Sequence, residues 1–465
     1  MYIEQLYTGC LSEAAYYVES NGEAVVIDPL RETEPYLNLA KSRGAKIKYI
    51  FESHFHADFV SGHIDLAALT GAKIVYGPHA RPQYTAHVAH DGEVFQVGAI
   101  SFEVLHTPGH TLESSCYLLR DAAGKAHAVF TGDTLFVGAV GRPDLAVKAE
   151  NPVTPEELAS KMYDSLHGKI MPLADEVIVY PGHGAGSSCG KGIGKETFST
   201  IGAQKATNYA LQPMSRADFI AEITRDLPPP PPYYFEDALI NMTGYDKIDE
   251  VLRRNTQALS PAAFKAEQTA GALVLDTRHP DEFGAGFIPG AWNIGLNGQF
   301  AIWVGTLIPI KKPLILVTSP GKEQEAILRL ARVGYEQVRG YLDGGMDAWK
   351  QVAYPMDSVE SVSPDAAADL ADKGLMVLDV RNADEFGQGH VKFAENIPLA
   401  KLPNKDAQRF DEDEEFVLHC KSGYRSMIAA SILKSKGVHG FVNVIGGYDA
   451  LLKTHASIQS PVTVG

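Results

Sequence analysis

Apolar residues in the first half of the chain come in short runs that end at polar turns. Met1 to Tyr7 reads as the start of a strand, and Tyr16 to Pro29 as strand, turn and strand. Glu34 to Gly44 has the spacing of a helix that closes on a glycine. Ile47 to Phe51 is a buried strand that stops just before His54, and Ala126 to Phe130 is another that stops before Thr131-Gly132-Asp133. Strands alternating with helices predict a layered α/β unit whose chemistry sits at strand ends. Five consecutive prolines, Pro228 to Pro232, can form neither helix nor sheet and predict an extended segment.

The second half repeats itself. Leu273-Val274-Leu275-Asp276-Thr277-Arg278 matches Met376-Val377-Leu378-Asp379-Val380-Arg381, and Glu282-Phe283, Gly286 and Asn293-Ile294 match Glu385-Phe386, Gly389 and Asn396-Ile397 at the same spacing. Gly344-Gly345 and Asp347-Ala348 match Gly446-Gly447 and Asp449-Ala450. Two copies of one domain follow, each with strands leading into helices and a parallel sheet between helical layers. The expected division is residues 1–256, 257–357 and 358–465.

Composition narrows the classes. A chain of 465 residues exceeds the size at which one core stops growing. The net charge of −16 argues against a nucleic-acid partner or an anionic membrane surface. No apolar run is long enough to span a bilayer, and Met1 to Tyr7 lacks the features of a signal peptide. The cysteines Cys10, Cys116, Cys189 and Cys420 form no close pairs, so a reducing, cytoplasmic setting and reactive thiols are expected rather than staples. Self-association stays open.

The chemistry gathers in two places. His54-x-His56-x-Asp58 follows a strand, and Thr107-Pro108-Gly109-His110, Thr131-Gly132-Asp133 and Tyr180-Pro181-Gly182-His183 each end a further segment in a metal-ligand residue. Four such turns predict a metal site. Gly141-Arg142 could meet a substrate carboxylate or phosphate, with a surface salt bridge as the plainer alternative. Cys189, in the glycine-rich stretch Gly184 to Gly190, could handle substrate sulfur, and Cys116 falls in an apolar strand pattern typical of a core.

In the last copy, the buried strand Phe416-Val417-Leu418 runs into His419-Cys420-Lys421-Ser422-Gly423-Tyr424-Arg425-Ser426, and a helix follows through Ser435. A cysteine at that junction faces free backbone N–H groups, and Arg425 adds positive charge, so the loop suits an anionic sulfur-bearing substrate. A tyrosine phosphatase loop would need five residues between Cys and Arg, where this chain has Lys421, Ser422, Gly423 and Tyr424 only. The middle copy has Thr318 and Glu323 at the positions of Cys420 and Arg425, and nothing evident to activate Ser319, so it is expected to be inert.

The first constellation resembles the metallo-β-lactamase superfamily, whose motif is His-x-His-x-Asp-His followed by separated His, Asp and His. The resemblance implies an αββα sandwich. Phe59 stands where that motif ends in His, which weakens a two-metal hydrolase of the glyoxalase II type; His63 is a candidate substitute. The closer likeness is to persulfide dioxygenases, which implies one Fe(II) per chain, held by His54, His110 and Asp133, with zinc as the alternative. His56, Asp58 and His183 become neighbours that orient ligands or substrate, His56 being also a possible ligand. The Cys420 loop resembles the rhodanese (sulfurtransferase) family, with Cys420 as the sulfane-sulfur carrier and Gly423 and Arg425 around it.

The whole chain is similar to persulfide dioxygenase–rhodanese fusions of bacterial sulfide metabolism. That implies as partners small-molecule persulfides of glutathione, coenzyme A or bacillithiol type, with O₂, sulfite and thiosulfate.

Overall fold

The computed structural model describes residues 1–145, 153–403 and 409–459, so the end of the third expected stretch lies outside them. Cα packing divides the chain into two compact units, Met1–Val251 with Ala331–Gly334, and Leu252–Leu330 with Tyr335–Gly465. The first expected boundary, after residue 256, falls a few residues beyond that division, and both repeats lie in the second unit apart from Ala331–Gly334.

The first unit is built on two six-stranded sheets. In one, Tyr2–Thr8, Glu13–Ser20, Glu23–Ile27, Lys46–Glu52, Lys73–Tyr76 and His87–Val88 lie side by side in chain order, the early pairs antiparallel and the later ones parallel. In the other, Ser199–Thr200, Ile178–Pro181, Ala126–Gly132, Ser115–Arg120, Ile100–His106 and Val94–Val97 are neighbours, with only Ala126–Gly132 and Ile178–Pro181 running parallel.

Alternation within single strands explains the layers. Tyr16 and Val18 join Ile27, Phe51, Phe102, Tyr117 and Phe130 in the core between the sheets. Ala15 and Tyr17 point the other way, toward Tyr36 and Ala40 of the helix Glu34–Arg43 and Leu66 of the helix His63–Thr70. Cys116, Leu118 and Val129 face Met162 and Phe219 of the helices Pro155–Ser165 and Arg216–Thr224. Both faces of each sheet are therefore buried, which is why these strands read as continuous apolar runs. The expected αββα sandwich is present, and Gly44 caps its first helix in the left-handed conformation with φ 67°.

The second unit contains the repeat. Ala258–Leu259, Val338–Leu342, Leu314–Val317, Leu273–Asp276 and Trp292–Asn293 form a five-stranded parallel sheet. Ser361–Val362, Val442–Val444, Phe416–His419, Met376–Asp379 and Glu395–Asn396 form another with the same strand order. Both copies open with a Ser-Pro helix start, in which Ser260 and Ser363 accept the backbone N–H of Ala263 and Ala366. The repeated Asp-x-Arg is a clamp in each: Arg278 chelates Asp276 and donates to Gly286 O, and Arg381 chelates Asp379 and donates to Gly389 O. Among the described residues, no helix is long and apolar enough to cross a membrane.

Candidate metal centre and cysteine loop

Four strands of the first unit deliver the predicted residues to one end of the sandwich. His54 follows Lys46–Glu52, His110 follows Ile100–His106, Asp133 follows Ala126–Gly132, and His183 follows Ile178–Pro181. All four are buried. His54, His110 and Asp133 present ligand atoms within 4.8 Å of one another. His110 Nε2 lies 3.5 Å and His54 Nε2 4.0 Å from Asp133 Oδ2.

Both imidazoles are oriented from behind. His110 Nδ1 pairs with the carbonyl of Arg142 at 2.8 Å, and His54 Nδ1 with the hydroxyl of Ser53 at 2.9 Å. The carbonyl can only accept, so it calls for the proton on His110 Nδ1 and leaves Nε2 free to ligate, while the Ser53 hydroxyl holds the His54 ring in place. Burial, followed by the neighbouring imidazoles His56, His110 and His183, pushes the pKa of His54 well below the usual histidine range, so it is held neutral. His110 Nε2 and both oxygens of Asp133 are buried and make no hydrogen bond among the described residues. A cation between them answers that cost, and two imidazoles with one carboxylate are a donor set suited to a divalent transition metal.

The other predicted residues form two separate groups. Asp58, His183 and Cys189 lie within 4.8 Å of one another. His183 Nε2 is 3.2 Å from Asp58 Oδ2 and 3.6 Å from Asp133 Oδ1, and its Nδ1 pairs with Ser12 O at 3.1 Å. Cys189 is buried, and burial together with the carboxylates of Asp58 and Asp133 raises its thiol pKa well above the ordinary range.

His56 belongs to the third group. Its Nε2 lies 3.1 Å from Asp28 Oδ1 and 3.6 Å from Glu52 Oε2, in a group distinct from that of His54, His110 and Asp133. Phe59 stacks on it with ring centroids 4.3 Å apart. His56 stays a neighbour of the ligands, its ring centroid 4.3 Å from that of His54, with its Nε2 directed at the carboxylates of Asp28 and Glu52. His63 is turned toward Glu52, with Nδ1 3.6 Å from Oε1, and does not replace the missing histidine.

Sequence reasoning missed Asp28 and Glu52, although Asp28 follows the apolar strand Glu23–Ile27 as Asp133 follows Ala126–Gly132. Of the two expectations for Arg142, the structure shows an ion pair, buried rather than at the surface. Its buried guanidinium chelates Asp144 at 2.6 and 2.7 Å and donates to the carbonyls of Ser188 and Pro228. It ties the glycine-rich stretch to the proline tract and is engaged rather than open to a ligand.

In the last copy, Cys420 directly follows the strand Phe416–His419 and is buried. Its Sγ accepts the backbone N–H of Gly423 at 3.2 Å. Gly423 takes φ 107° at the start of the helix Tyr424–Ser435, a conformation that favours glycine. Arg425 is not an isolated charge: it chelates Glu385 at 2.6 and 2.8 Å and lowers the carboxyl pKa of that residue. Glu385 is the partner that sequence reasoning missed, having been read only as a mark of the repeat. A pocket of about 380 Å³ opens beside the loop, lined by Arg381, Glu385, Lys421, Tyr448, Asp449 and Leu452 among others.

In the middle copy the carboxylate of Glu323 accepts the Thr318 hydroxyl and the Gly321 N–H, both at 3.2 Å. The positions of Cys420, Gly423 and Arg425 are therefore filled by a self-contained cluster.

Residues 8–183 match the model of the metallo-beta-lactamase superfamily, and residues 260–352 and 363–454 each match the rhodanese-like domain. The chain is 32% identical over 188 residues to a probable hydroxyacylglutathione hydrolase of Schizosaccharomyces pombe, covering 40% of this chain and 67% of that protein. It is also 32% identical over 163 residues to the human mitochondrial persulfide dioxygenase ETHE1, covering 35% of this chain and 59% of that protein. A crystal structure of a metallo-beta-lactamase from Staphylococcus aureus superposes with a TM-score of 0.65 at 31% identity, covering 74% of this chain and 98% of that one. The chain thus spans roughly three fifths to two thirds of the length of these curated relatives.

Proposed function

The chain belongs to the metallo-β-lactamase superfamily and carries two rhodanese-like domains, and on that premise we propose that it is a persulfide dioxygenase joined to a sulfurtransferase. The observation that carries this reading is the convergence of His54, His110 and Asp133 on one point while Phe59 occupies a position that two-metal relatives give to histidine. In this reading the domains span residues 1–256, 257–357 and 358–465, and the first holds Fe(II).

The overall oxidation converts a thiol persulfide, O₂ and water into the free thiol, sulfite and two protons. Iron would supply the one-electron chemistry that O₂ requires. His54 and His110 hold their Nε2 atoms in place through Ser53 and the Arg142 carbonyl, and Asp133 supplies the charge. Asp58, His183 and Cys189 line the far side of Asp133, where His183 steadies its second oxygen. The buried setting keeps bulk water from the reacting sulfur.

At Cys420 the thiolate attacks the terminal sulfur of a second persulfide. The S–S bond of the donor breaks, its thiolate leaves, and a Cys420 persulfide forms. Sulfite then attacks the outer sulfur, the Cys420 thiolate leaves, and thiosulfate is released. The Gly423 N–H, 3.2 Å from Sγ, supports the anion in both steps. Both sites are linked by sulfite, which the first produces and the second consumes.

A zinc-dependent thioester hydrolase of glyoxalase II type is the second reading. It is favoured by Asp133, whose two buried oxygens face separate donor groups, His54 with His110 and His183 with Asp58, as a bridging ligand would. Metal analysis with an oxygen electrode separates the two. Iron and persulfide-dependent oxygen uptake are expected, both lost in Asp133→Ala. Zinc with no such uptake overturns the dioxygenase.

A further inference from the structure

Tyr424 lies between the two residues that shape the cysteine loop, Gly423 and Arg425, yet its side chain leaves the third copy. Its hydroxyl donates to the carbonyl of Gly295 in the middle copy at 2.7 Å. Its ring lies so close over Gly298 that a methyl there would stand 2.4 Å from Cζ. The rest of the helix follows: Ser431 Oγ accepts the N–H of Asn293 and Ser435 Oγ the indole N–H of Trp292, both at 2.9 Å.

The seat is itself held. Arg329, buried on the middle copy's helix Glu323–Ala331, donates to Leu296 O at 2.7 Å and to Gly298 O at 3.4 Å. The helix that follows the plugged Thr318 loop therefore fixes the turn on which the working loop of the next copy rests.

We propose that the middle copy is a brace for the Cys420 loop, with Tyr424 as a positioning residue and the Gly295–Gly298 turn as its seat. A cup of backbone N–H groups stabilises an anion only if its donors are set in place before the charge arrives. A loop that begins its helix on a glycine at φ 107° has no stiffness of its own there. Pinning Tyr424 fixes the residue next to the Gly423 N–H. The inference rests on the reading of Cys420 as the sulfur carrier.

The test uses the full chain as wild type, Tyr424→Phe, Gly298→Ala, Tyr424→Ala and the double variant Gly298→Ala/Tyr424→Ala. Thiosulfate formation, thermal unfolding and amide hydrogen exchange of the Cys420–Ser426 peptide are measured on each. Gly298→Ala is expected to lower kcat roughly tenfold or more with little change in KM, although it lies outside the loop. Tyr424→Phe, which keeps the ring, is expected to fall between it and wild type. The double variant is expected to be no worse than Tyr424→Ala, because both changes break one contact. The loop peptide is expected to exchange faster in each variant while melting stays cooperative. Unchanged loop exchange in Gly298→Ala, or additive losses in the double variant, would overturn the brace. Faster loop exchange in a chain whose wild type forms no thiosulfate would support the brace and sink the role given to Cys420.

Discussion

The hydroxyl of Thr318 donates to the carboxylate of Glu323 at 3.2 Å, so the middle copy carries its own anion where the last copy holds Cys420. Restoring the thiol alone cannot restore sulfur transfer, because a thiolate at 318 would face that carboxylate at contact distance. Thr318→Cys in a Cys420→Ser background is expected to form no more thiosulfate than Cys420→Ser alone. A rate above that parent would show that the middle cup accepts an anion after all.

The charge reversal at Glu323 was legible in the sequence; the plug it forms was not, because that depends on Gly321 offering its N–H. The same divide runs through the metal centre. His54, His110, Asp133 and His183 were legible because each follows a strand and a turn, so their convergence needs only a sandwich. The direction of His56 was not. Neighbouring imidazoles in a turn can present their ring nitrogens to different partners, and here Asp28, which reaches the site from a different strand, takes Nε2 of His56. Nor could the sequence show that Glu385, forty residues before Arg425, neutralises the charge expected to stand free.

The placement of His56 makes a metal prediction and a pH prediction. His56→Gln is expected to keep the metal content of the chain, whereas Asp133→Ala loses it. Burial alone would lower the pKa of His56, but the carboxylates of Asp28, Glu52 and Asp58 outweigh it and raise the value from 6.5 to about 9. A raised pKa means stability that is complete below pH 6.5 and lost as pH climbs through 9. Urea unfolding of the metal-depleted chain should therefore show a fall on the order of 3 kcal/mol across that window. The fall should vanish in His56→Gln. A slope that survives the substitution would place the titrating group elsewhere.

Arg142 is expected to act on stability before substrate. Replacing it with methionine leaves Asp144 and the carbonyls of Ser188 and Pro228 without their donor. Breaking one side of a buried pair costs about 3 kcal/mol. Calorimetry should therefore show a clearly lower Tm. If Arg142 instead holds the substrate, KM for the persulfide rises while Tm stays at the wild-type value.

The last prediction compares matching glycines in the two copies. Gly447 has φ 58°, and a Cβ on it would stand 2.5 Å from Cys420 O and 2.8 Å from Lys421 O. The two residues after it hold the same loop, Tyr448 N–H on Cys420 O at 2.7 Å and Asp449 N–H on Lys421 O at 3.0 Å. Gly345 occupies the same place in the middle copy with φ 57°, but there the nearest contact for a Cβ is Thr318 O at 3.8 Å. Alanine at either position bears the same backbone strain, about 1–2 kcal/mol. Only Gly447→Ala also drives a methyl into the cysteine loop, where backbone atoms cannot step aside. Thiosulfate formation should therefore collapse in Gly447→Ala and persist in Gly345→Ala, with oxygen uptake unchanged in both. Equal losses in the two variants would assign the effect to strain and remove the steric role argued for Gly447.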